Sequence, residues 1–281
     1  MQKHKDTKKQ LALIPGYIVI SLWVLFTFVV IGWIVLASFS TTAAIFGNKM
    51  GSAGFHPENY FNALFHHNIA AYYMNSIIYT FLSVLLSLLI CAPAAYALAR
   101  FKFKGNKFIQ NLFIAGLGIP AIIIIMPLFV VVANLNMTNQ RSVLVILYIG
   151  LVLPFTTYFL MTFFQNISHE FEEAAAIDGC GPITTFWRIM FPLAQPGIVA
   201  VVVFNFITIW NEFFISLIFA NDTALRPVSV GLYSMVNSMR YVGDWAGMFA
   251  AVVLVFLPTF VLYIFLSEKI MGNVTAGGVK G

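Results

Sequence analysis

The chain has 281 residues, of which 60% are apolar and only 9% are Asp, Glu, Lys or Arg, against about a quarter charged in a soluble domain. With 29 Phe and a mean hydropathy of +0.91, this balance excludes an ordinary soluble enzyme, a disordered chain and a fibrous protein, and leaves an all-α, polytopic membrane protein. The net charge of +5 sits in short clusters and does not indicate nucleic acid as a partner, and two cysteines, Cys91 and Cys180, make no disulfide framework.

Windows without charge count the spans. Residues 10–48, 59–99, 108–140, 142–169, 189–211 and 245–267 contain no Asp, Glu, Lys or Arg, and a transmembrane helix needs about 20 mostly apolar residues. The windows predict six helices over 15–38, 73–98, 108–133, 142–164, 196–219 and 246–267, the fifth interrupted by Glu212. Residues 15–267 then form the membrane domain, between a segment 1–14 and a tail 268–281. Asn59, Asn62, His66, His67 and Asn68 make 57–71 a surface helix rather than a span, with the two histidines solvated. Lys3, Lys5, Lys8 and Lys9 precede an apolar run about twice the length of a signal-peptide core, so the first span reads as a retained helix.

Lys and Arg set the orientation. With the N-terminus inside, the inner segments hold Lys3, Lys5, Lys8, Lys9, Arg100, Lys102, Lys104, Lys107, Arg188, Lys269 and Lys280, and the outer ones Lys49, Arg141, Arg226 and Arg240. Eleven against four places both termini in the cytoplasm. Pro93, Pro120, Pro127, Pro154 and Pro258 fall within spans. They read either as kinks in a pathway that changes shape or as the ordinary enrichment of Pro in membrane helices.

Residues 165–195 break the pattern on the inner face. They hold Glu170, Glu172, Glu173, Asp178 and Arg188, a dense charge cluster for this chain. Ser168 is placed to cap a helix whose first turn carries Glu170. Asp178-Gly179 stops that helix, because Gly accepts the left-handed backbone that ends helices. Pro182 starts a second helix at its first position, Pro192 ends it, and Pro196 opens span five. Such a helix–turn–helix reads either as an interfacial loop anchored by Trp187 or as a docking surface for a soluble partner.

Glu173-Ala174-Ala175, Gly179, Ile189 and Phe191-Pro192, at their spacing, resemble the EAA loop of ATP-binding-cassette importer permeases, with Phe-Pro where the family pattern ends in Leu-Pro. The six-span count and the place of the loop between spans four and five are similar too. Tyr96-Ala97-Leu98-Ala99-Arg100-Phe101 with Lys104-Gly105, and Trp210-Asn211-Glu212-Phe213, resemble the carbohydrate permeases. Thr275-Ala276-Gly277-Gly278-Val279-Lys280-Gly281 resembles the tail of the maltose-type inner-membrane subunit.

The resemblance implies a permease subunit of an ATP-driven, binding-protein-dependent importer of sugar, in particular of oligosaccharide, in a bacterial cell membrane. It implies a second six-helix permease subunit, different from this one, two ATP-binding-cassette ATPase subunits and an extracellular sugar-binding protein as partners. The ATPases would dock on Glu172, Glu173, Ala174, Ala175, Asp178, Gly179, Ile189 and Pro192. The tail, through Gly277, Gly278, Val279 and Lys280, would insert between them. The outer segment 220–245 would reach toward the cleft of the binding protein. Two alternatives remain open: the same architecture importing another solute, or a secondary transporter without an ATPase. The second alternative would show repeat symmetry, which is not evident here.

Chemistry of its own is not expected of the chain. A P-loop needs Lys after its second Gly, and Gly278 stands there in the one stretch with the spacing, Gly272 to Gly277. No catalytic residue, metal-ligand spacing or cofactor motif is present. Within the spans, Glu212 is costly unless it faces a pathway, pairs with a partner or lies at a hydrated interface. With Asn205, Asn211 and Trp210, and with Tyr158 as a further aromatic, it is a candidate for lining a solute pathway.

Overall fold

The computed structural model describes residues 2–50 and 54–278, with side chains described for 13–50, 54–239 and 241–265. Every regular element among them is helical. In order they are α1 (Gln2–Ser38), α2 (Thr42–Phe46), α3 (Glu58–Phe61), a π-turn (Asn62–His66), α4 (Ile69–Arg100), α5 (Asn106–Leu117), α6 (Ala121–Asn134) and α7 (Arg141–Gln165). Then come α8 (Glu170–Ile177), α9 (Pro182–Thr185), a π-turn (Phe186–Met190), α10 (Phe191–Leu193), α11 (Gln195–Trp210), α12 (Phe214–Phe219), a 3₁₀ turn (Thr223–Leu225), α13 (Val228–Val242) and α14 (Trp245–Gly278).

Among the described residues, four stretches are long and apolar enough to cross a membrane: Leu13–Ser38, Ile69–Arg100, Arg141–Gln165 and Trp245–Phe265. Counting each of two bent pairs as one span gives six, Asn106–Leu117 with Ala121–Asn134 at 103° and Pro182–Leu193 with Gln195–Trp210 at 75°. The third expected span, 108–133, is thus not one straight helix. Pro120 has no N–H and disfavours helical backbone at Ile119, so α5 stops at Leu117 and α6 restarts at Ala121. The expected fifth span divides where Glu212 stands, with α11 ending at Trp210 and α12 starting at Phe214. Pro93, Pro127, Pro154 and Pro258 stay inside their helices.

The chain forms two compact units. One combines the segment up to His67 with Met235–Leu254. Here Asn59 ties off the end of α1 by donating from Nδ2 to the carbonyls of Ser38 (2.9 Å) and Ser40 (2.8 Å), and Phe39 stacks on Phe55. His67, expected to be solvated, instead pairs through Nε2 with Asp244 Oδ2 at 3.0 Å.

The other unit, Asn68–Ser234 with the chain from Val255, carries the main helix packing. Helix α7 lies along α4, and α11 packs on both. One core cluster gathers Tyr79, Leu144, Tyr148, Val152, Ile209 and Phe219; another gathers Ala92, Ala95, Leu160, Phe164, Phe186, Met190 and Val201. Glycines make room for aromatic rings from neighbouring helices. A Cβ on Gly197 would lie 2.7 Å from the Phe163 ring, and one on Gly231 would fall within the Tyr72 ring.

Candidate functional site

Helix α8 is defined at both ends by its own side chains and backbone. Ser168 Oγ accepts the Glu170 N–H at 3.3 Å, and three acids, Glu170, Glu172 and Glu173, occupy the first turn, where the helix dipole favours negative charge. At the other end Gly179 has φ of +78°. The Cys180 N–H bonds the Ala175 carbonyl (2.9 Å) and the Gly179 N–H the Ala176 carbonyl (3.1 Å), the paired closure of a Schellman cap. Pro182 opens α9 as its pattern requires. Pro192 does not end the second helix. The π-turn Phe186–Met190, closed by Phe191 N–H to the Phe186 carbonyl, carries the chain through Pro192 to Leu193. The wider turn relieves the bond that Pro cannot donate and the clash of its ring with the preceding turn.

A polar cluster fixes this loop to the end of α4. Tyr96 donates its hydroxyl to Glu172 Oε1 at 2.6 Å, and Arg100 Nε lies 3.4 Å from Glu172 Oε2. Arg100 Nη2 also donates to the Ile167 carbonyl at 2.5 Å. His169 sits between the two charges, with Nδ1 3.2 Å from Glu172 Oε2 and Nε2 2.9 Å from Arg100 Nη1. Guanidinium can only donate, so Nε2 accepts and the proton sits on Nδ1, facing the carboxylate. The Arg100 side chain is 3% exposed and that of Glu172 18%. Beneath them Phe186 packs against Tyr96 and Phe164. A recess of about 340 Å³ opens beside the cluster, lined also by Phe101, Ala176, Cys180, Pro182 and Thr185.

The loop residues named from sequence therefore divide into two sets. Glu172 and Ala175 turn inward, Ala175 fully buried, and Ile189 is half-buried. Glu173, Ala174, Asp178, Gly179 and Pro192 lie exposed, beside Ile177 and Ile183 at 86% and 77% exposure. Tyr96 and Arg100 were not among the expected site residues, although their i, i+4 spacing on one helix face was a readable signal. Of the tail residues, Gly277 and Gly278 end α14, while Val279 and Lys280 lie outside the described residues.

The four pathway candidates do not form one site. Asn205 is buried and exchanges hydrogen bonds with Thr156, Nδ2 to Oγ1 at 2.9 Å and Oγ1 to Oδ1 at 3.2 Å, so its amide joins α11 to α7. Asn211 is exposed and donates back to the Ile207 carbonyl. Glu212 neither hangs free in a channel nor sits idle. Its Oε1 accepts from Ile215 N–H at 2.6 Å and its Oε2 from Ser216 N–H at 3.0 Å. The carboxylate thus offsets the orphan donors at the start of α12, while Ser229 Oγ donates to its carbonyl at 2.7 Å. Trp210 stacks on Phe206, meets Tyr73 edge-on, and donates from Nε1 to the Val255 carbonyl at 3.2 Å. These rings line an almost wholly apolar cavity of about 450 Å³ between α4, α11 and Pro258. Thr80 also lines it, with a buried Oγ1 that has no hydrogen-bond partner among the described residues.

Helices of membrane-spanning length, broken spans and an anchored, acid-edged helical loop define a multi-span membrane protein with a polar loop fixed to its helices. Residues 91–268 match the family described as the inner membrane component of binding-protein-dependent transport systems, and the chain belongs to that family. It is 35% identical over 257 residues to a diacetylchitobiose uptake system permease protein of Streptomyces coelicolor, covering 91% of this chain and 85% of that protein. It is 30% identical over 280 residues to the trehalose/maltose transport system permease protein of Thermococcus litoralis, covering 99% of each. A sulfoquinovosyl glycerol transport system permease protein of Agrobacterium fabrum is 32% identical and covers 89% of the chain and 87% of its own length. The fold is that of a bacterial ABC transporter involved in importing alginate, with a TM-score of 0.80 at 21% identity over 92% of this chain and 96% of that one.

Proposed function

We propose that the chain is one of two permease subunits of an ATP-driven importer of sugars, oligosaccharides in particular. It lies in a bacterial inner or plasma membrane with both termini in the cytoplasm. Its partners are a second, different six-helix permease, two ATP-binding-cassette ATPases and an extracellular sugar-binding protein. The observation that carries the reading is the exposed edge of α8 and α9, Glu173, Asp178, Ile177 and Ile183, on a loop whose other side is bolted to α4 through Glu172. Apolar side chains ringed by acids form a surface suited to a soluble partner, and a rigid anchorage passes a partner's movement to the membrane helices instead of absorbing it. Gly179, Ile189 and Pro192 shape this docking element. The tail through Gly277, Gly278, Val279 and Lys280 adds a second contact with the ATPases.

The relatives named for sugars support the solute class, and the lack of a P-loop in the sequence supports ATP hydrolysis by a separate subunit. Asn205, Trp210, Asn211 and Glu212 support the path by shaping α11 and its break rather than as a single ring of sugar ligands. The test is purification from the native membrane followed by reconstitution in lipid. Two ATPase subunits and a second permease should co-purify. ATP hydrolysis should rise when the binding protein is supplied with trehalose, maltose or diacetylchitobiose. Uptake of such sugars by the chain without any ATPase would overturn the reading.

A further inference from the structure

The segment between α12 and α13 has almost no regular structure of its own, yet its backbone is held at nearly every step by side chains from elsewhere. Asn75, on α4 and 4% exposed, donates from Nδ2 to the carbonyls of Ala224 (2.8 Å) and Arg226 (3.0 Å). Its Oδ1 accepts from Arg141 Nη1 at 2.7 Å, and Arg141 Nη2 reaches the Ala224 carbonyl at 3.3 Å. One turn along α4, the Tyr79 hydroxyl donates to the Leu225 carbonyl at 2.9 Å. Ser76 Oγ accepts the Val228 N–H at 2.8 Å. Asn139 Oδ1 accepts the N–H groups of Asn221 (3.1 Å) and Asp222 (3.3 Å). Asn75, Ser76 and Tyr79 are all buried, so the bonds they make are shielded on the α4 side, where a lost partner is costly, while Asn139 and Arg141 hold the connector from the exposed side.

The far end of the same helix holds the loop helix α8 through Tyr96 and Arg100. Ser76 and Tyr96 are twenty residues apart on one continuous helix, which at 1.5 Å per residue is about 30 Å, the thickness of a bilayer core. Helix α7 lies along α4 between the two clusters and adds Arg141 at the first of them.

We propose that Asn75 and Arg141 are positioning residues that latch the connector 221–228 to α4 and α7, so that the connector and α8 move as one body at opposite membrane faces. The inference rests on the importer reading above. A movement imposed on α8 by an ATPase is delivered to the segment that leads into α13, the side on which a binding protein releases its sugar.

Asn75→Asp tests the latch. Aspartate still accepts from Arg141 but has no N–H for the two carbonyls. The variant is purified as the whole complex and compared with the wild type in lipid. Hydrogen exchange of residues 221–228 should quicken by about tenfold, the effect of losing buried hydrogen bonds. ATP hydrolysis stimulated by trehalose-, maltose- or diacetylchitobiose-loaded binding protein should fall about tenfold, while hydrolysis without binding protein stays unchanged. Ser76→Ala, which removes one acceptor only, should shift both readouts in the same direction and less. Unchanged exchange at 221–228 would overturn the latch, and so would quickened exchange with normal stimulation. A wild-type complex that no loaded binding protein stimulates would instead overturn the importer reading.

Discussion

Arg100 is the residue most dependent on its neighbours. With its side chain almost wholly buried and Glu172 as its carboxylate, the pair is stable only while both members are present. Glu172→Ala should therefore destabilise the loop by about 2–3 kcal/mol, seen as a lower thermal midpoint and faster proteolysis over residues 166–180, whereas Glu172→Gln keeps an acceptor for Tyr96 and should cost less. Gly179 separates backbone from surface effects. Its φ is +78° and a Cβ there would touch nothing within 4 Å, so Gly179→Ala should cost only the left-handed strain of about 1 kcal/mol. Gly179→Asp adds an anion beside Asp178 at a helix C-terminus, where the dipole disfavours it. If the exposed edge is a docking surface, ATPase retention and transport should fall sharply in Gly179→Asp and little in Gly179→Ala. Equal losses in the two would point to backbone strain alone.

Helix α12 shows how an element short of residues is kept in place. Six residues are too few to hold a helix by propensity, and the Glu212 carboxylate meets two of its free N–H groups. Glu212→Ala should loosen it by about 1–2 kcal/mol, read as faster hydrogen exchange at 214–219, with a change in transport following from the altered α11–α12 break. The hydropathy pattern located that break because a charge within a span must find a partner. It did not reveal that the partner is the chain's own backbone three and four residues on. The 103° bend between α5 and α6 was similarly legible only as a proline. Pro127, Pro154 and Pro258, in equally apolar runs, leave their helices unbroken, and local sequence does not rank them, since neighbouring helices decide whether freed carbonyls find donors.

For the transporter as a whole, the proposed division of ATP hydrolysis and solute movement between different chains is most easily probed at the tail. Truncation after Gly272 should leave the spans inserted but lower the amount of ATPase retained, or raise the ATP hydrolysed per sugar moved. Quantitative mass spectrometry of the purified complex, alongside uptake and phosphate release from the same vesicles, checks both. A truncated complex with full ATPase occupancy and an unchanged ratio would show the tail to be dispensable. The purified chain freed of its partners should release no phosphate from ATP.

Composition and charge spacing pointed to an all-α membrane protein with six apolar runs, and Ser, Gly and Pro marked the helical loop between the fourth and fifth. Those features depend on local quantities: how many apolar residues run together, where Ser caps, and where Gly accepts a positive φ. Tertiary structure decided which polar groups meet. Tyr96 and Arg100 close on Glu172 from more than seventy residues away, Asn205 is absorbed by Thr156, and Asn75 and Arg141 grip the connector ahead of α13. In an apolar interior a buried donor or acceptor left without a partner is costly. The sequence states that requirement, but only the packing of α4, α7 and α11 brings the partners within reach.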